Sequence, residues 1–164
     1  MGSNEDKFSF KLTLEERPSV TPGTETEDSV ATFLAESLGL IPARGKGLVS
    51  VKLIQLLSQI AGRREATIST AKGQAMDVKN GAIRVEDAHK WLLDGGADIG
   101  IAQLYNTYIA GFQRAGLITK KKYSMYGLKG DSLKEALKEV EREWQKNHTR
   151  VLDHAEKLVQ VQKK

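Results

Sequence analysis

A chain of 164 residues, 40% of them hydrophobic, can bury one core and is too apolar for wholesale disorder. It has no cysteine, which removes disulfides and thiolate chemistry, and no apolar run approaches the ~18 residues of a membrane span. Residues 1–29 carry seven acids against three bases, net −4, so residues 30–164 carry the remaining 14 acids against 22 bases, net +8, which points to a polyanionic partner for the body.

The N-terminus, Met1 to Phe10, has neither the basic start nor the apolar stretch of a signal peptide, so a soluble, cytoplasmic protein is expected. Phe8, Phe10, Leu12 and Leu14 alternate with polar residues at the period of a half-buried strand. Glu15 to Glu27 runs through Pro18, Pro22 and Gly23, which is linker chemistry. Residues 1–28 therefore read as an acidic, partly disordered leader.

Thr24-x-x-Glu27 has capping-box spacing, and Val30, Phe33, Leu34 and Leu38 share a face of the helix it opens. Gly39 and Pro42 stop that helix, and a short basic loop with Arg44 and Lys46 follows. A second helix points Val49, Leu53, Leu56, Leu57 and Ile60 inward and ends at Gly62. Over 63–82 the spacing predicts a short helix capped by Ser69 or Thr70, running through Ala71, Ala75 and Val78 to Asn80-Gly81. A long loop is the alternative.

Ala82 to Val85 reads as a brief strand and Glu86 to Asp94 as a helix with Ala88, Trp91 and Leu92 inward, ended by Gly95-Gly96. Asp98 is placed to cap the next helix, whose inward set is Ile101, Leu104, Tyr105, Tyr108, Ile109 and Phe112; Gly116 closes it. Leu117–Lys120 and Tyr123–Leu128 form two short strands around a lysine-rich turn. Ser132 opens a helix that neither proline nor glycine interrupts before Lys164.

Strand, helix, Gly-Gly turn, helix and hairpin, in that order, resemble a winged helix-turn-helix. Val85–Leu93, Gly95-Gly96, Ile101–Phe112, the run Arg114-Ala-Gly-Leu-Ile118 and Tyr126-Gly-Leu128 carry the resemblance. Residues 48–164 resemble bacterial and archaeal winged-helix regulators. The last helix resembles that of PadR-like regulators and replication-terminator proteins, where such a helix makes the dimer. The resemblance implies a mostly α fold with a small β-hairpin wing: a winged-helix domain over 29–131 with an extra N-terminal helix, then a long dimerisation helix over 132–164. Two departures stand out: residues 63–82 form a longer insert than such domains hold there, and the leader has no counterpart.

With Ile101–Phe112 inward, the opposite face of that helix presents Gln103, Asn106, Thr107, Gln113 and Arg114 and no acid. Gln and Asn can bond an adenine edge, and Thr can touch a thymine methyl or a phosphate. Lys120, Lys121 and Lys122 fall where a wing meets phosphates. Each feature alone matches an ordinary solvated surface; together they point to double-stranded DNA. Arg44 and Lys46 could touch the backbone as well, or their loop could simply connect helices.

Arg44-Gly-Lys-Gly47 lacks the spacing and the hydroxyl residue of a P-loop, and Gly95-Gly96-x-x-x-Gly100 follows a helix, not a strand. His148 and His154 are six apart, unlike a helical zinc pair, and His89 stands alone. No nucleophile, base and acid set emerges, so no enzyme activity, metal or cofactor is expected.

In the terminal helix, Leu133, Leu137, Val140, Trp144, His148, Val151, Ala155, Leu158 and Gln162 step by four and three with one stutter. Glu135/Lys138, Glu139/Arg142 and Glu143/Lys146 pair along its outer surface. Such a helix outruns the body it starts on. Leu133–Trp144 is expected on the body, and Trp144, His148, Val151, Ala155 and Leu158 in a homodimer seam. The expected function is sequence-specific DNA binding by a dimer, as a prokaryotic or mobile-element transcription regulator or a replication or partition factor. The alternative is a winged-helix protein-interaction subunit of a larger assembly. RNA binding ranks lower, since no aromatic stacking platform is evident.

Overall fold

The computed structural model describes residues 14–43 and 45–163. Phe8, Phe10 and Leu12 of the expected leader strand, and Arg44, lie outside the described residues. Leu14 is exposed and outside any strand. The linker meets the body where the Glu15 N–H donates to the Ser37 carbonyl, 2.8 Å away.

Helix α1 spans Glu27–Ser37, and its cap lies later than expected. Thr26, not Thr24, is the N-cap, and Ser29 completes the reciprocal pair of bonds expected of Glu27. The buried face is Ala31, Ala35 and Leu38, while Val30 is exposed and Phe33 and Leu34 are half-buried. Small residues let the helix approach its neighbour closely, so packing turned the helix off its most apolar arc.

That neighbour is helix α2, Gly47–Ile60, which is enclosed rather than one-sided. Val49, Val51, Leu53, Ile54, Leu56, Leu57 and Ile60 are all buried, as are Ser50 and Gln55. Each aliphatic side chain taken out of water contributes roughly 1.5–3 kcal/mol. The two polar groups are satisfied: Ser50 Oγ donates to the Leu40 carbonyl at 2.8 Å, and Gln55 Nε2 donates to Asp28 Oδ1 at 2.6 Å.

Residues 63–82 hold no helix. They form strands β1, Glu65–Ser69, and β2, Ala75–Lys79, in an antiparallel hairpin. Ile68, Met76 and Val78 alternate inward, and Thr70 with Gln74 closes the tip. The tip is pinned to a distant helix: Thr70 Oγ1 and Gln74 Nε2 both donate to Asp94 Oδ2, the latter at 2.9 Å. Asn80-Gly81, with both φ angles positive (53° and 69°), turns β2 into β3, Ala82–Arg84, as Asn-Gly does in tight hairpins. The helical reading failed because apolar spacings of four and three fit this stretch as well as alternation does.

Helix α3 is Val85–Asp94, with Ala88 and Leu92 buried. Helix α4, residues 101–114, is α-helical over Ile101–Gln103, π-helical over Leu104–Ile109 and α-helical over Ala110–Arg114. Its N-cap is Gly100 with no side-chain bond, so Asp98 is not the cap. Strands β4, Ile118–Lys121, and β5, Met125–Leu128, pair through a turn at Lys122–Ser124. Lys120 and Lys121 thus belong to a strand, and only Lys122 of the triplet to the turn.

All five strands form one antiparallel sheet in the order β1-β2-β3-β5-β4. Helix predominates as expected, but the sheet is larger than a lone wing. Helix α5, Leu133–Gln162, is capped by Ser132 Oγ, which accepts from the Glu135 N–H at 3.1 Å. No helix among the described residues is long and apolar enough to cross a membrane.

Gly127 is where the sheet is least tolerant. A Cβ there would lie 2.1 Å from the Gly81 carbonyl oxygen and 2.9 Å from its carbon. Backbone cannot step aside as a side-chain tip can, so Gly127→Ala should cost at least about 3 kcal/mol. Gly111→Ala, which meets nothing in helix α4, should instead gain up to about 1 kcal/mol. Urea midpoints measure both, and an unchanged midpoint for Gly127→Ala would refute the close approach.

Candidate nucleic-acid interface

Helix α4 and the β4–β5 hairpin meet along one seam, and Lys120 sits in it. In register Lys120 faces Tyr126 and lies on the strand face turned toward α4. On one side of Lys120 a cleft is lined by Ile101, Ala102, Tyr105 and Asn106 of α4 with Ser124 and Tyr126. On its other side a second cleft is lined by Gln113 and Arg114 of α4 with Thr119 and Lys129.

The charged residues of the second cleft are all cations. It collects Arg114, Lys120 and Lys129 with no carboxylate, and none of the three makes an ion pair with a described residue. Three unpaired cations around two polar side chains form a surface that attracts anions, phosphates included. The first cleft is aromatic and amide-lined, with Glu86 as its one acid.

The π-helical segment decides what α4 presents. In a regular helix Ile101 and Tyr105 would share the buried arc with Leu104, Tyr108, Ile109 and Phe112. In the structure the last four are buried, while Ile101 and Tyr105 are 42% and 46% exposed. The Ala110 N–H reaches back to the Tyr105 carbonyl, one residue beyond the α-helical partner, so the register shifts across Leu104–Ile109. Such wide turns recur at functional sites.

Gln103, Asn106, Gln113 and Arg114 are exposed and Thr107 is half-buried, so the outward set expected of this helix stands on its surface. The other predicted residues divide. Lys122 is exposed at the turn, beside Tyr123, which is 79% exposed. Lys121 points to the opposite face from Lys120 and donates its ammonium to the Asn80 carbonyl, tying the two hairpins together.

Lys46 is occupied as well. Its Nζ donates to the Asp98 carbonyl at 2.7 Å, and its backbone N–H donates to the buried Tyr108 hydroxyl at 2.6 Å. Its loop is a brace between α2 and α4. The sequence reading missed Tyr105, Lys129 and Thr119. Lys129 could have been suspected from its place just after the Tyr-Gly-Leu strand, whereas the exposure of Tyr105 depends on a π turn that periodicity does not reveal.

The histidines make local contacts: His89 Nε2 meets the Ile99 carbonyl at 2.7 Å, and His154 Nδ1 the Arg150 carbonyl at 2.8 Å. No group of three or more His, Asp or Glu among the described residues is placed to hold a metal ion. Comparison with protein-family models, curated proteins and solved structures finds no match.

Tyr105 and Tyr126 pack edge to face, with ring centroids 6.2 Å apart and hydroxyls 3.5 Å apart. Burial, then the Tyr105 hydroxyl, pushes the Tyr126 phenol up to about 12 from 10.0. The fold therefore holds Tyr126 neutral. The stability this contributes is whole below pH 10 and is lost as pH rises toward about 12. Absorbance titration of phenolate should show Tyr126 ionising late, and Tyr105→Phe should lower its midpoint without returning it to 10, because burial is the larger cause. A Tyr126 that titrates normally in the intact protein would disprove the pairing.

Proposed function

We propose that the protein binds double-stranded DNA through α4 and the β4–β5 hairpin, in the manner of a winged helix-turn-helix. The observation that carries this reading is an α4 surface of amides ending in Arg114, free of acids along its own length, set against a hairpin strand that adds Lys120. The element order supports it too: strand β3, helix α3, helix α4 and a hairpin whose second strand pairs with β3. The β1–β2 hairpin is then an insertion that widens the sheet.

In this reading Asn106 and Gln103 read base edges in the major groove, and Arg114, Lys120, Lys122 and Lys129 hold phosphates. Lys46 and Lys121 brace the fold and contribute little directly. Association through Trp144, His148, Val151, Ala155 and Leu158 sets two such faces on one duplex, which can raise affinity by about 10²–10⁴. The role is that of a transcription regulator or a replication or partition factor, at a cytoplasmic duplex.

Binding to random duplex across a salt series, followed by selection of a preferred site, tests the reading. Joint Arg114→Ala, Lys120→Ala and Lys122→Ala should weaken all duplexes and flatten the log–log salt slope by up to ~0.9 for each phosphate the protein no longer neutralises. Asn106→Ala should narrow the preference for the selected site by roughly 1–3 kcal/mol while leaving the slope unchanged. Absence of salt-dependent duplex binding by the intact protein would sink the proposal.

A further inference from the structure

Helix α5 leaves the body after about two turns. Ala136 and Val140 are buried and Leu133 and Leu137 half-buried, but every described residue from 141 onward is exposed. Along this free stretch Trp144, Val151, Leu152, Leu158, Val159 and Val161 are each about half exposed or more. Six large apolar side chains on one projecting helix exceed what a monomer usually leaves in water.

The width of the stripe is informative. Trp144, His148, Val151, Ala155, Leu158 and Gln162 alone would make a narrow seam for one partner helix. Leu152 and Val159 flank that seam on one side, where a two-stranded coiled coil would carry charges. At 100° per residue they widen the apolar arc from about 80° to about 120°. An arc that wide belongs to a helix facing the core of a bundle, where more than one neighbour must cover it. A two-helix pair would leave Leu152 and Val159 wet.

Charge indicates what those neighbours are. Residues 141–163 hold four acids (Glu141, Glu143, Asp153, Glu156) and five bases (Arg142, Lys146, Arg150, Lys157, Lys163). The two signs are interspersed and nearly cancel, so identical helices do not repel one another, and no oppositely charged foreign partner is required. Apart from Glu141, which shares an angle with Val159 at the body end, the charges fall outside the arc, and Glu139–Arg142 and Glu143–Lys146 pair within the helix at 2.9 and 3.6 Å. Trp144 and His148 stack at 4.7 Å, 10° from parallel, and form a flat cap at the body end of the stripe.

We propose that the free half of α5 joins those of three other copies of this chain in a four-helix bundle, so that the protein is a tetramer built as a pair of dimers. Closed pairwise symmetry of this kind is common among self-assembling proteins. The inference goes beyond the DNA-binding reading and does not depend on it.

Sedimentation equilibrium of the full chain over a concentration series tests it. The expected mass is four times the 18.1 kDa chain. Leu152→Lys with Val159→Lys should halve that mass to a dimer, because these residues lie only in the widened part of the arc. Val151→Lys with Leu158→Lys should reduce it to a monomer. All four residues are exposed in the single chain, so an unchanged melting temperature of the body confirms that folding is intact. A full-length dimer, or a tetramer indifferent to the Leu152 and Val159 pair, would overturn the proposal. A monomer at every concentration would overturn it as well. If that monomer pelleted with anionic vesicles, the apolar face would be a membrane-surface element; if it did not, a foreign protein would be its cover.

Discussion

Enclosure of α2 is the constraint on which the rest of the molecule depends. A helix buried around most of its circumference cannot be covered by one neighbour. Accordingly α1, α3, β3 and β5 all pack on it, and its two buried polar side chains take partners from the loop after α1 and from α1 itself. Once α1 takes one side and the sheet another, the positions of α3 and α4 follow. The loop before α2 is also fixed, because the Lys46 N–H must reach the Tyr108 hydroxyl, and Gly45 leaves room for it: a Cβ there would meet that oxygen at 2.6 Å.

The surface of α4 is a by-product of this packing. Tyr108 is held by the Lys46 loop while Leu104, Ile109 and Phe112 fill the core. One regular helix would also have turned Ile101 and Tyr105 inward, and the π turns release them. Tyr105 then finds Tyr126, and the first turns of α4 lean on the hairpin that carries Lys120. Folding energy and surface chemistry are thus set by the same distortion. The lysine triplet shows the same economy, since strand alternation sends one ammonium to the α4 seam and the next to the Asn80 carbonyl.

Helix α5 behaves differently along its length. Over its first two turns it is part of the core, through Ala136 and Val140. Beyond Trp144 every described residue is exposed, yet the apolar arc continues. Charge pairs and helix propensity hold a single helix only marginally, and the proposed bundle would add the burial that the single chain lacks.

By itself the sequence determined the elements whose signals are local. Helices α2, α3 and α5, the β3 strand, the outward amides of α4 and the turn of the last hairpin follow from periodicity, glycine and capping residues within a few positions. Asn80-Gly81 is legible as a stop, but what it ends is a strand and not the helix that the spacing before it suits. Tertiary structure alone decided what depends on partners far along the chain. The β1–β2 hairpin needs Asp94, some twenty residues on, to hold its tip. The roll of α1 onto Ala31 and Ala35 needs the surface of α2. The exposure of Tyr105 comes with π turns in α4, whose Tyr108 is tied to Lys46, more than fifty residues away. A local pattern reports which faces are apolar. Which of several apolar faces is buried is settled by shape and hydrogen-bond partners that only the folded chain brings together.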